Sequence, residues 1–237
     1  MNNLKYCTLT GADNSINPKD LLVLSQKYPF VEWGILYSEA KMGTGRYPSY
    51  EWIQALIDLL RLEENKDANF ALHICGKAVK DWINYEDRIE EIAQHFKRIQ
   101  LNFISKNINT IDLSWAVVDA HDQTIITQHN KSNLNLYKEL GHIDNYAILF
   151  DTSGGRGIDD NNQWTEPLPD VLCGYAGGLG PDNVASQLQV INQLVKGRYF
   201  YIDMEGKLRN DKDQFDLSKC EEVLKIVDQF IKSEYRV

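Results

Sequence analysis

Residues 171–184 read VLCGYAGGLGPDNV, and this stretch decides the fold. An apolar run from Val171 to Ala176 ends in Gly177-Gly178-Leu179. Gly180-Pro181-Asp182 then leads into a helical pattern carried by Leu188, Ile191 and Leu194. A buried strand that turns abruptly into a helix has this form. Adjacent glycines let an anion approach bare backbone N–H groups, and the start of a helix sets a partial positive charge behind them. The same residues also suit a plain tight strand–helix turn, because glycine marks turns of every kind. The segment therefore predicts one strand–helix unit, with a phosphate cradle as one of two readings of its turn.

Similar apolar runs recur on both sides of it. Six precede it: Leu4–Thr10, Val31–Tyr37, Phe70–Cys75, Arg98–Phe103, Thr124–Gln128 and Tyr146–Asp151. One follows, Tyr199–Met204. Several are continuously apolar, as strands buried on both faces are. Helical patterns lie between them. Pro18-Lys19-Asp20 opens one with Leu21, Leu22 and Leu24, and Ser49-Tyr50-Glu51 opens another with Trp52, Ile53, Leu56, Ile57 and Leu60. Ile89–Phe96, Ser132–Leu140 and Leu217–Ile231 supply more. The place of the sixth helix, Gly157–Pro169, is polar and carries Pro167 and Pro169, so it reads as a loop with at most one helical turn. No linker divides the chain. The pattern predicts an α/β fold, a single (β/α)8 TIM barrel over residues 1–237 with helix six replaced by a loop. An open doubly wound sheet is the alternative.

A chain of 237 residues can bury one large core. Its formal charge of −9 argues against nucleic acid or an anionic membrane as partner, and no apolar run is long enough to span a bilayer. Cys7, Cys75, Cys173 and Cys220 are far apart and form no C-x-x-C pair, and no apolar h-region stands at the N-terminus. Reduced thiols and a cytoplasmic location are the expectation. The sequence specifies no oligomeric state.

In a barrel the C-terminal ends of the strands share one mouth. Reading off those ends gives Cys7 and Thr8, Arg46 in the loop after the second strand, His73 and Cys75, Gln100 and Asn102, Asp151, Gly177 and Gly178, and Asp203-Met204-Glu205-Gly206. Most have an ordinary structural reading as well. A buried strand cysteine is commonly inert packing, Asp151 before Thr-Ser-Gly-Gly can cap a turn, and Arg46 can be a solvated charge. His73 and Cys75 share a strand face, but no second histidine lies nearby, so no metal site is expected.

With those residues in place, the chain resembles the phosphoribosylanthranilate isomerase family. Lys5-Tyr6-Cys7 is similar to that family's opening K-x-C strand, and Gly34-Ile35-Leu36-Tyr37 with Arg46-Tyr47-Pro48-Ser49 to its G-x-x-F…S-x-R-Y-V-S segment. Gln100-Leu101-Asn102 resembles Q-L-H. Leu149-Phe150-Asp151-Thr152 and Gly154-Gly155-Arg156-Gly157, followed by Trp164, resemble L-L-D-T, G-G-T-G and F-D-W. Ala176-Gly177-Gly178-Leu179 and Pro181-Asp182-Asn183-Val184 resemble A-G-G-L-x-P-E-N-V, the strongest match. The resemblance implies an Amadori rearrangement of a phosphoribosyl-amine to a ketose in tryptophan biosynthesis, with no cofactor. It implies Cys7 as the base, Asp151 as the acid, and Arg46, Asn102, His73 and the backbone of Gly177, Gly178 and Gly206 as substrate- and phosphate-binding groups. A small phosphorylated molecule is the implied partner.

The departures lie at the mouth. The family's eighth strand ends D-V-S-S-G-V-E, whereas Asp203-Met204-Glu205-Gly206-Lys207-Leu208-Arg209 stands here. Glu205 would repel a phosphate, so either it points away, or Lys207 or Arg209 compensates it, or the ligand is not that phosphate. Thr8 stands for a glycine and Asn102 for a histidine. Two other readings stay open: a barrel enzyme of another class, a lyase or hydrolase acting on a phosphorylated or carboxylated molecule, and a non-catalytic ligand-binding barrel.

Overall fold

Valine, isoleucine, leucine and the aromatic residues fill the predicted runs, and each run forms a strand. The computed structural model describes residues 3–151 and 164–234. Its strands are β1 (Leu4–Thr10), β2 (Val31–Tyr37), β3 (Asn69–Cys75), β4 (Arg98–Asn102), β5 (Thr124–Gln128), β6 (Tyr146–Asp151), β7 (Leu172–Ala176) and β8 (Phe200–Met204). All neighbouring pairs are parallel, and β8 pairs with β1 to close the barrel. The doubly wound alternative is thereby excluded.

The helices are α1 (Pro18–Lys27), α2 (Tyr50–Leu60), α3 (Ala78–Ile83), α4 (Asp87–Ala93), α5 (Thr110–Asp119), α6 (Leu136–Leu140), α7 (Val184–Val195) and α8 (Leu217–Glu234). Local chemistry sets several starts. Asn17 Oδ1 accepts from the Lys19 N–H ahead of α1, and Ser49 Oγ accepts from the Trp52 N–H at α2. Two helices, α3 and α5, are absent from the sequence reading. In α5 the apolar residues wrap the whole helix: Leu113, Ala116 and Val117 are buried while Ile111, Trp115 and Val118 are exposed. That removes the one-sided period by which an amphipathic helix is recognised. The helix expected over Ser132–Leu140 begins only at Leu136. Between β6 and β7, residues 164–170 are irregular and end in a turn, as the loop reading expects; the rest of that segment lies outside the described residues. No helix among the described residues is long and apolar enough to cross a membrane.

Strand register fixes which side chains enter the barrel. Thr8 lies beside Glu32 and Asp203, Ala176 beside Asp203 and Asp151, His73 beside Gln100, and Ala71 beside Arg98. Tyr6, Ile126, Ala147, Leu149, Leu172, Ala176 and Tyr201 form a small cluster inside the barrel. The residues between them face the helices and join the larger core. Gly174 makes room for the interior, since a Cβ there would lie 2.1 Å from the Tyr201 ring.

The interior also holds an ion pair. Arg98 Nη1 donates to Glu32 Oε1 at 2.7 Å, Thr8 Oγ1 donates to the same oxygen at 2.7 Å, and neither charged side chain is more than 2% exposed. The guanidinium is sandwiched between Tyr6 and Tyr201, 4.5 and 4.2 Å from the ring centroids. Removing one partner strands the other charge in a dry interior. Arg98→Met is expected to destabilise the barrel by about 3–5 kcal/mol. Urea unfolding checks this; a loss below about 1 kcal/mol would show that Glu32 finds other compensation.

Candidate active site

A cavity of about 500 Å³ opens at the C-terminal ends of the strands. Of the residues expected there, Arg46, His73, Asn102, Asp151, Gly177, Gly178 and Gly206 line it. Cys7 does not. It is fully buried in register with Val31 and Ile202, in the core between barrel and helices and near Cys220 of α8. Strand alternation explains this, because Tyr6, Thr8 and Thr10 take the inward positions and Cys7 the outward one. Burial, with the charges of Asp203 and Glu32 behind it, pushes the Cys7 thiol up. The base expected on the first strand is thus not at the mouth.

A carboxyl that the sequence reading places there without a role lies on the floor instead. Asp203 is buried on β8, and its Oδ1 accepts from Thr10 Oγ1 at 2.7 Å. Burial raises it to about 7; the Thr10 hydrogen bond opposes the rise, and Glu205, Glu32 and Asp151 add to it. Asp151 ends β6 half-buried, level with Ala176, which is in turn level with Asp203. The two carboxyls therefore flank β7 on the same tier of the barrel. His73 is buried, and its imidazole is lowered to about 3 by burial and by the charge of Arg98, so it stands neutral.

The turn after β7 has the expected form. Gly177 and Gly178 take φ of 117° and 67°, a region that admits glycine without strain. Asn183 then staples the turn to the start of α7: its Nδ2 donates to Gly178 O at 2.9 Å, and its Oδ1 accepts from the Gly180 N–H at 2.9 Å. Lys207 lies across Gly180 and bonds Asp182 at 2.9 Å.

Glu205 is paired by a residue that the sequence does not set beside it. Arg46 Nη1 bonds Glu205 Oε1 at 2.7 Å, and its Nη2 bonds Asp213 Oδ1 at 3.2 Å. Arg209 is buried against Asp13 at 2.6 Å and also reaches Asp213, at 2.8 Å, while Lys207 turns to Asp182. The loop arginine, reaching across from the β2 side past β1, is the group that neutralises Glu205. Glu205, Lys207, Tyr47, Lys41 and Gln100 also line the cavity.

No family model and no curated protein matches the sequence. Solved structures do. Phosphoribosyl anthranilate isomerase from Thermus thermophilus superposes with a TM-score of 0.66 at 15% identity, over 95% of this chain and 99% of that one. Phospho-2-dehydro-3-deoxyheptonate aldolase (DAHP synthase) from Thermotoga maritima superposes with a TM-score of 0.55 at 11% identity, over 96% of this chain and 70% of that one. At these identities the likeness establishes the shared barrel fold.

The raised Asp203 ties stability to pH. Its folded value, about 7, lies above the unfolded 3.8, so across that window the unfolded chain releases a proton that the folded chain keeps. This group's contribution to stability therefore falls as pH rises from about 4 to 7. Asp203→Asn removes the effect. The variant's stability relative to the parent, measured by urea unfolding, is expected to be more favourable at pH 8 than at pH 4. A pH-independent difference would mean that Asp203 ionises normally.

Proposed function

We propose that this chain is an acid–base isomerase that converts a small phosphorylated sugar amine from aldose to ketose, the Amadori rearrangement of the phosphoribosylanthranilate isomerase family. The observation that carries the reading is the pair of carboxyls on one tier of the mouth, one of them raised to about 7. Two carboxyls on one tier, one of which keeps its proton to near neutral pH, can divide acid and base work between them. Asp203, which keeps its proton to near neutral pH, protonates the ring oxygen, and the ring opens to an iminium ion. Asp151 then takes the proton from C2; the C2–H pair becomes the C1=C2 bond and the C1=N pair returns to nitrogen, and the resulting enol gives the ketose by gaining a proton at C1 and losing the one on the C2 oxygen. A carboxyl with its midpoint near 7 suits protonation of the ring oxygen at neutral pH.

The cradle supports the same reading. Gly177, Gly178 and Gly206 bring backbone to the cavity beside the start of α7, an arrangement suited to phosphate. His73, held neutral, is suited to a hydrogen bond with a sugar hydroxyl. A place in tryptophan biosynthesis and a cytoplasmic setting belong to this proposal, and the four free thiols support the latter.

The experiment is turnover of phosphoribosylanthranilate by the purified protein, followed by the change in fluorescence. Asp203→Asn and Asp151→Asn are each expected to lower kcat by about 10²–10⁴-fold. Cys7→Ser is expected to stay within about threefold of the parent in kcat, because its side chain faces the helices. The rate is expected to fall as pH rises through about 7, because Asp203 loses the proton it donates. Full loss of activity in folded Cys7→Ser, with Asp203→Asn active, would overturn the assignment; no turnover by the folded parent would overturn the reaction.

A further inference from the structure

Exposed large apolar side chains stand singly on α1 (Val23) and α7 (Val190), whereas α5 carries three: Ile111, Trp115 and Val118 are 66%, 64% and 46% exposed. At about 100° per residue these positions fall within about 60° of one another around the helix. Leu113, Ala116 and Val117 face the opposite way, into the core. The stripe therefore contributes nothing to the packing of a single chain. Tyr85 continues it beside the last turn of α5, 49% exposed, with its hydroxyl donating to Asp119 Oδ2 at 2.6 Å. The helix follows β4 on the flank of the barrel, and none of its residues lines the mouth cavity.

The extent of this face and its edges fit one occupant. Ile111, Trp115, Val118 and Tyr85 together leave on the order of 450 Å² of side chain in water. Two such faces set against each other cover about 900 Å², which is the apolar share of a standard interface of about 1,600 Å². The edges of the stripe are complementary to each other. Asp112 and Asp119 run along one side, and Thr110 and Ser114 along the other. A two-fold axis running roughly along the helix sets the carboxylate edge of each copy against the hydroxyl edge of its partner, and does so twice, at the level of Asp112. Hydroxyls donate and carboxylates accept, so the aspartates of two acidic chains are matched rather than opposed where they come closest.

We propose that this face is the interface of a homodimer, in which a second copy of this chain packs its Ile111–Trp115–Val118 stripe on the first, with Trp115 near the two-fold axis. Both mouths stay open in such a dimer, so the proposal stands or falls apart from the isomerase reading. Sedimentation velocity on the full chain tests it. An interface of this size holds a dimer with a dissociation constant in the micromolar range or tighter, so a species of twice the chain mass is expected at about 20 µM. A buried tryptophan at the centre of an interface is an anchor, and Trp115→Glu is expected to weaken the dimer at least about thirtyfold. Ile111→Glu is expected to weaken it as well, and Val23→Glu, an equally exposed change on α1, to leave it intact. Thermal melting checks that each variant is folded, and the mass of the parent decides the matter even where one is not. A parent that stays monomeric to about 200 µM overturns the proposal and leaves the face to a different protein. A dimer that survives both α5 substitutions places the interface elsewhere and overturns it too.

Discussion

A strand in a closed parallel barrel offers alternate residues to two different surroundings, and everything at this mouth follows from that division. Outward residues meet the helices in a dry, apolar layer. Inward residues meet one another around the barrel axis, and near the C-terminal ends they meet the cavity. A single step along a strand exchanges one setting for the other. In β1 the outward set includes Cys7 and the inward set Tyr6, Thr8 and Thr10. In β8 the inward set is Tyr201 and Asp203. Closure of β8 on β1 brings Thr8 level with Asp203, and the Thr10 hydroxyl reaches the same carboxyl.

The interior this produces is unusually polar beneath the cavity. A fully buried Arg98–Glu32 pair lies under the floor with its guanidinium between two tyrosine rings, and its two charges are felt by different site residues. Arg98 lowers His73, whereas Glu32 joins burial, Glu205 and Asp151 in raising Asp203. One ion pair thus biases an imidazole toward its neutral form and a carboxyl toward holding its proton near neutral pH. Arg46 and Lys207 at the rim, and Arg209 buried behind it, each meet a carboxylate, with glycine backbone between the rim pairs.

The barrel was legible in the sequence because strands buried on both faces leave long apolar runs, and β1, β2, β5 and β6 fall on the residues that those runs mark. The helices were less legible. In α5 the exposed Ile111, Trp115 and Val118 hide the amphipathic period, and α3 is a single short segment. At the site, the glycine turn and the aspartate at the end of β6 carried their own signals. The first strand misled, since Cys7 and Thr8 cannot both face the mouth when side chains alternate, and counting in twos from the cysteine would have shown it. Asp203 could have been found by the same count from Thr8. The pairing of Arg46 with Glu205 could not, because it joins residues 159 positions apart through the relative placement of two loops.

The account stands on a carboxyl at the floor of the mouth that keeps its proton to near neutral pH. Carbon-13 NMR of side-chain-labelled aspartate in the folded protein, with Asp203→Asn used for assignment, measures that ionisation directly. The account predicts a midpoint for Asp203 near pH 7. A midpoint near the ordinary aspartate value of about 4 would contradict it.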